Sequence, residues 1–164
     1  MEEWGACARA VIVIGVGATL TMDLWSALLR SMGVRTLDYA MLGRWLGHAL
    51  QGICWHSNIQ NAVPIRGEAL TGWLLHYLSG IVLAAGLVWW QGAQWSVSPT
   101  LLPALAWGAI SVLLPWLLLQ PALGAGIAAS RLPAPWRQRA LGLLSHLVFG
   151  WGLFVTAGLL KWWE

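Results

Sequence analysis

Charged side chains are scarce in this chain of 164 residues. Nine Lys and Arg and six Asp and Glu make up 9% of the sequence, whereas 59% of residues are apolar. Four long apolar runs follow one another and leave no segment that would form a separate soluble domain. Residues 1–164 are therefore predicted to form a single transmembrane domain, and the net charge of +3 requires no nucleic acid as a partner.

Cysteine is also scarce, since Cys7 and Cys54 are the only two in the sequence. Cys7 precedes the first predicted span and Cys54 lies in the loop that follows it, so we expect the two on opposite sides of a membrane. A disulfide between them is then excluded, and both are predicted to be free thiols.

The apolar runs predict four membrane spans. They cover about residues 8–30, 70–91, 100–121 and 140–161. Each is close to the ~20 residues that an α-helix needs to cross a hydrocarbon core of ~30 Å. The expected fold class is all-α, an integral membrane four-helix bundle.

Arginines are distributed unevenly among the three loops. The first and third loops contain or border seven of them, and the second has none. The seven are Arg30, Arg35, Arg44, Arg66, Arg131, Arg137 and Arg139. Because cytoplasmic loops collect basic residues, loops one and three are predicted to be cytoplasmic and both termini non-cytoplasmic.

The chain is rich in tryptophan, with fourteen. Most of them lie near the predicted span ends, where amphipathic rings form the interfacial belts of membrane proteins. The lipid bilayer is therefore the first partner that the sequence predicts, and anchoring is the default role of these rings.

Loop one is too long for a plain connection. Apolar residues recur in it at helical spacing, at Leu42, Trp45, Leu46 and Ala49. This pattern predicts an interfacial amphipathic helix over residues 37–50. Arg44 and His48 lie one turn apart on its other side, as candidates for the entrance to a site.

Two further expectations concern polar residues of this loop. Arg44 is expected to meet Asp23, or an anionic lipid or substrate. His56 is interpreted as a surface histidine of a solvated loop rather than as a metal ligand with Cys54.

The third span contains two prolines, Pro115 and Pro121, which predict a broken helix. Gln120, which precedes Pro121, is expected to leave helical geometry. Gly124 and Gly126 beyond it favour a tight or re-entrant turn. Broken helices at membrane depth are tolerated where they line a cavity or pack within protein.

Two segments place a histidine between two glycines on one helix face. They are Gly72-x-x-x-His76-x-x-x-Gly80 and Gly142-x-x-x-His146-x-x-x-Gly150. Glycines four residues on either side lie above and below the imidazole, which predicts space there.

Asp23 adds a third ionisable group within a span. Such a group costs roughly 2–3 kcal/mol on insertion, which indicates a function or a satisfied packing role. Counted along the helices, Asp23, His76 and His146 all lie about 9–11 Å from the cytoplasmic span ends. Gln120 enters the same layer, so the sequence predicts a polar site in the cytoplasmic half.

Three functional interpretations of this layer stay open. Asp23, His76 and His146 form a 2-His-1-carboxylate set, which suits iron or zinc. Alternatively, the two histidines are the axial ligands of haem b, with the glycines admitting the macrocycle. The third is a proton relay in a transporter of a small solute. Metal or haem is the leading hypothesis.

The competing structural interpretation is that the glycines let helices approach and that each histidine packs against a neighbouring helix. The chain would then be a structural membrane subunit. The sequence identifies no reaction, and a small lipophilic or anionic ligand and a homo-oligomer are compatible with it.

A series of short strings carries a resemblance over nearly the whole chain. The strings are Gly17-Ala18-Thr19, Met22-Asp23-Leu24-Trp25, Gly43-Arg44-Trp45, Gly47-His48, Arg66-Gly67-Glu68, Gly72-Trp73, His76-Tyr77, Pro99-Thr100-Leu101, Gln120-Pro121 with Gly124 and Gly126, and His146 with Phe149-Gly150. In these the chain resembles a bacterial four-pass membrane protein family, domain-of-unknown-function family 2938. The resemblance implies four spans and the bacterial inner membrane, and it implies no activity.

Overall fold

The computed structural model describes residues 2–160, without the side chains of residues 2–4. Lys161, the last residue of the fourth predicted span, lies outside them. The described residues contain seven α-helices and no strand. The helices are α1 (Glu2–Ser31), α2 (Tyr39–Ala49), α3 (Glu68–Gln91), α4 (Gln94–Val97), α5 (Leu101–Ser111), α6 (Gln120–Ala122) and α7 (Pro135–Leu160).

Four segments are long and apolar enough to cross a membrane, which confirms the four predicted spans. They are Gly5–Ser31, Glu68–Gln91, Leu101–Ala122 and Pro135–Leu160. The chain is therefore a multi-pass membrane protein with an all-α four-helix bundle fold. The fourth span begins at Pro135, five residues before the predicted start, because a proline in the first turn is already restricted to helical φ.

The predicted helix of loop one is present as α2. The Asp38 side chain caps it by accepting a hydrogen bond from the Ala40 amide at 3.0 Å. At the other end the indole N–H of Trp45 donates to the carbonyl of Cys54 at 3.0 Å. This bond holds the segment that follows α2 against the helix.

The third span is interrupted, as the prolines predict. After α5 ends at Ser111, residues Pro115–Leu119 form a π-helical turn that leads directly into α6. The amide of Gln120 bonds to the carbonyl of Pro115, five residues earlier. Wider π-helical turns of this kind occur frequently at functional sites.

The expectation that Gln120 leaves helical geometry is wrong. Its φ and ψ are −60° and −44°, which are ordinary helical values. A proline ring crowds the turn of helix that precedes it. The wider π-helical turn just before Gln120 makes room for the ring of Pro121, so Gln120 keeps helical φ and ψ.

A tight turn follows α6, as the glycines predict. Gly124 has φ of +94° and Gly126 has φ of +74°, and both lie in the left-handed region that favours glycine. A Cβ atom on Gly124 would collide with the carbonyl of Ser57. Glycine at this position therefore lets loop one lie directly against the turn.

The contacts of the chain fall into two compact units. The first contains residues 2–34, 77–111 and 144–160 of the described chain. Its apolar core includes the fully buried Ile14, Leu87 and Leu153. Small residues let helices approach closely in this unit. The Cβ of an alanine at Gly15, for example, would lie 2.6 Å from the Cα of Ile81.

The second unit contains residues 35–76 and 112–143. In it α2 crosses the start of α3 at two glycines, Gly43 and Gly72, whose backbones are in contact. Loop one is bonded to the end of the third span by backbone hydrogen bonds. The His56 amide donates to the Ala122 carbonyl at 2.9 Å, and the Ile59 amide to the Leu123 carbonyl at 3.1 Å.

Candidate functional site

Asp23 is half-buried in α1 and belongs to the first unit. The Tyr77 hydroxyl of α3 donates a hydrogen bond to Asp23 Oδ2 at 2.9 Å. A phenol bonded to a carboxylate at membrane depth fixes the orientation of that carboxylate and joins two spans.

His146 lies in the same unit, where it joins α7 to α5. Its Nδ1 is 2.7 Å from Ser111 Oγ, and that hydroxyl donates to the Gly108 carbonyl, also at 2.7 Å. A hydroxyl has one proton, so His146 Nδ1 is assigned as the donor to Ser111. The histidine is therefore an interhelical hydrogen-bonding residue.

His76 belongs to the second unit and is in contact with aromatic rings. Its imidazole stacks on the ring of Tyr39 in α2, with centroids 3.9 Å apart and planes 21° apart. Trp73 meets the Tyr39 ring edge-on at 4.7 Å. These three rings hold α2 against α3.

The glycines that flank the two histidines face occupied space rather than an open slot. Added Cβ atoms would overlap the Tyr39 carbonyl at Gly72 and the Thr19 side chain at Gly80. At Gly150 the Cβ would lie 2.5 Å from the Ala104 carbonyl, and at Gly142 it would lie 3.3 Å from Trp116 Nε1. The space predicted beside the histidines is thus filled by neighbouring helices at these positions.

Within residues 2–160, no three His, Cys, Asp or Glu side chains lie close enough together to hold a metal ion. A metal or haem centre at Asp23, His76 and His146 stays a prediction. Cys7 and Cys54 are free thiols, as expected.

Arg44 forms the main ionic contact of loop one. Its partner is Glu68 at the start of α3, so the expectation that Arg44 meets Asp23 or an anionic lipid or substrate is wrong. The guanidinium binds the carboxylate with two bonds, Nε to Oε2 at 2.8 Å and Nη2 to Oε1 at 2.6 Å. Its Nη1 faces the carbonyls of Ile59, Gln60 and Ala62 at 3.2–3.3 Å.

Arg44 is only 7% exposed, so its charge is satisfied within the protein. The hydrogen bonds to Glu68 raise the pKa of Arg44 above its ordinary value, so it stays charged at all accessible pH values. Glu68 also accepts a bond from the Ile65 amide at 2.8 Å. The pair thus ties α2, α3 and the end of loop one together.

Behind this pair lies a chain of two histidines. His48 Nε2 is 2.9 Å from the carbonyl of Val63, and His48 Nδ1 is 3.1 Å from His56 Nε2. A carbonyl only accepts, so His48 Nε2 carries a proton. Neutral His48 then offers Nδ1 as an acceptor, and His56 Nε2 donates to it.

The interpretation of His56 as a solvated surface histidine is therefore wrong. The residue is half-buried and bonded to His48. Its other nitrogen, Nδ1, is buried and has no hydrogen-bond partner. Buried polar atoms are nearly always paired, so this nitrogen is available to a water, an ion or a ligand.

His56 also lines a pocket of about 450 Å³ on the second unit, between loop one and the turn after α6. The lining combines apolar, hydroxyl and cationic groups: Trp55, His56, Pro121, Gly126, Ile127, Ser130 and Arg131. Gln120 precedes Pro121, and its Oε1 atom is likewise buried without a partner. The pocket thus adjoins the interrupted third span.

Sequence reasoning singled out Arg44, His48 and Gln120 as residues around a site, and all three belong to the unit that contains the pocket. It missed Trp55, Ser130 and Arg131 as pocket residues. The available signal was the turn at Gly124 and Gly126, because left-handed glycines let the chain fold back on itself. The Arg131 amide accordingly donates to the Ala125 carbonyl at 2.9 Å.

The chain matches a protein family model over residues 12–160, with the description "Protein of unknown function (DUF2938)". No curated protein and no solved structure matches it. The chain belongs to this DUF2938 family.

Proposed function

We propose that this DUF2938-family protein is a carrier of the bacterial inner membrane for a small solute that has an anionic oxygen group on an apolar body. Its solute site is the pocket of loops one and three, which faces the cytoplasm. Coupling to protons uses an ionisable side chain of the protein, and no chemical reaction on the solute is implied.

The composition of the pocket lining carries this proposal. Arg131 offers a guanidinium whose paired N–H groups match carboxylate and phosphate oxygens, and Ser130 adds a hydroxyl. Trp55, Pro121 and Ile127 supply apolar walls. Ligand pockets characteristically combine mostly apolar walls with a few polar groups that fix orientation.

The interrupted third span supports a carrier rather than a static receptor. The π-helical turn at Pro115–Leu119 leads into the residues that border the pocket. Discontinuous helices surround substrate sites in many secondary transporters, because irregular backbone at membrane depth needs a cavity or protein packing. Asp23, oriented by Tyr77, is a carboxylate at membrane depth that supports proton coupling.

Benzoate is the probe that tests the pocket, since it joins a carboxylate to an apolar ring. In nanodiscs of phosphatidylcholine we expect saturable benzoate binding by calorimetry and none of benzyl alcohol. Arg131→Gln should weaken it by about tenfold or more, because a hydrogen bond to a charged group is worth about 1.5–3 kcal/mol. Arg137→Gln, an exposed arginine outside the pocket lining, is the matched control and should change nothing.

The anion that binds here has two sources, a free solute or a lipid headgroup. Nanodiscs with phosphatidylglycerol separate them, since a lipid in the pocket would compete with benzoate through the same Arg131. Competition assigns the site to lipid and contradicts the carrier. Absence of benzoate binding, or equal loss in Arg131→Gln and Arg137→Gln, contradicts the site itself.

A structural role for the intramembrane histidines is the second candidate. The Ser111–His146 bond and the filled space at Gly72, Gly80 and Gly150 favour it. Metal or haem at His76 and His146 with Asp23 is a third proposal. Purified protein that contains haem or a stoichiometric transition metal would replace the carrier proposal with that one.

Orientation is the remaining part of the proposal. We expect both termini outside the cytoplasm because loops one and three hold the basic residues. Reporter fusions at residue 164 and within residues 92–98 should read as non-cytoplasmic, and a fusion within residues 33–36 as cytoplasmic. A cytoplasmic reading at residue 164 would invert the protein and place the pocket outside the cell.

A further inference from the structure

His56 stands between a fixed hydrogen-bond chain and the pocket. The Val63 carbonyl sets the tautomer of His48, and His48 sets that of His56. While both rings are neutral, His56 Nε2 donates to His48 Nδ1. The imidazole therefore cannot exchange the roles of its two nitrogens without breaking the chain.

One ring nitrogen of these two histidines has no hydrogen-bond partner. His56 Nδ1 carries a lone pair, is buried and has no partner. A proton from solvent can add there without disturbing the bond to His48, and it converts His56 to a cation with two N–H donors. The bond to His48 survives wherever the positive charge then lies: either His56 Nε2 donates to His48 Nδ1, or a protonated His48 Nδ1 donates to His56 Nε2. In both arrangements His56 Nδ1 carries the added proton.

We infer that His56 is the proton-binding group of the pocket, and that it takes up one proton from solvent when the anion binds beside Arg131. This inference rests on the proposed function and identifies its coupling residue. Protonated His56 and the anion add no net charge to the pocket together, whereas either one alone changes its charge.

The surrounding charges favour coupled rather than independent binding. On α2, the charge of Arg44 is matched by Glu68, and His48 is bonded to His56. On the loop after α6, Arg131 is a cation that lines the same pocket. An anion bound beside Arg131 meets a second cation in the same lining once His56 is protonated. By linkage, the anion raises the proton affinity of His56 and the proton raises the affinity for the anion.

The test measures benzoate affinity against pH, between about pH 5.5 and 8.5, where histidine titrates and benzoate stays ionised. Wild-type affinity should fall by up to about tenfold for each pH unit once His56 is neutral in the free protein. In weakly buffered solution, binding should take up close to one proton per benzoate. His56→Gln should bind benzoate more weakly than the wild type does at low pH, with an affinity that no longer changes with pH.

The outcomes separate this inference from the proposed function. Benzoate binding without proton uptake overturns the role of His56 and leaves the pocket intact, whereas no binding at any pH overturns the pocket. If Asp23→Asn abolishes proton uptake and His56→Gln retains it, the proton resides on Asp23 and the inference is wrong. If His56→Gln does not fold, the absence of uptake in the wild type still overturns the inference, and so does the loss of uptake in Asp23→Asn.

Discussion

Glu68→Gln is expected to destabilise the protein strongly and to release loop one from α3. The substitution removes the carboxylate that receives two bonds from Arg44, a guanidinium only 7% exposed. Removing one partner of a buried ion pair leaves the other charge uncompensated, at a cost of about 3–5 kcal/mol. Thermal unfolding in detergent should shift down by about 10 °C for a chain of this length.

Arg66→Gln is the matched control, because it removes one charge from an exposed residue of the same loop. It should leave the unfolding temperature within about 1–2 °C of wild type. The double variant Arg44→Met with Glu68→Leu should recover much of the loss, since no buried charge remains. Equal stability of Glu68→Gln and Arg66→Gln would show that the pair contributes no more than an exposed charge does.

The four spans were predictable because the hydrocarbon core imposes one length and one composition on every crossing helix. The boundaries of the second and third spans agree with the sequence to within two residues at each end. Helix α2 was predictable for a related reason: a helix at an interface must separate apolar and polar residues on two faces.

The partner of Arg44 was not predictable in the same way. Hydropathy indicates how deep a residue lies in the bilayer, but it does not indicate which acidic residue an arginine contacts. The contact with Glu68 follows from the crossing of α2 and α3, and only two glycines 29 positions apart, Gly43 and Gly72, mark that crossing in the sequence. Small residues of this kind are frequent in all four spans, so they single out no particular pair.

His56 shows a second limit of sequence reasoning. Loops are normally exposed, and a histidine in a long polar loop is normally solvated. Here loop one is held to the third span by main-chain hydrogen bonds, at His56 and Ile59. Main-chain bonds outside regular strands leave no side-chain pattern, so the burial of His56 had no signal in its own neighbourhood.

Gly72→Ala is the second substitution with a large expected effect. The added methyl group would overlap the carbonyl oxygen of Tyr39, which is backbone of α2 and cannot rotate away as a side chain would. Helices α2 and α3 must then separate. Overpacking of this kind costs typically about 1–3 kcal/mol, and here separation also strains the Arg44–Glu68 bonds and the stacking of Tyr39 on His76.

Gly158→Ala is the matched control, because it is the same change in another long helix and its Cβ meets no atom within 4 Å. It should be neutral or slightly stabilising, since alanine favours helix over glycine by up to about 1 kcal/mol. Gly72→Ala should lower the unfolding temperature by about 5–10 °C, as followed by tryptophan fluorescence in detergent. Combined with Glu68→Gln it should cost less than the sum of the two, because both changes open the same crossing. Full additivity would show that Gly72 and the ion pair act independently, and a Gly72→Ala protein as stable as Gly158→Ala would contradict the close approach of α2 and α3.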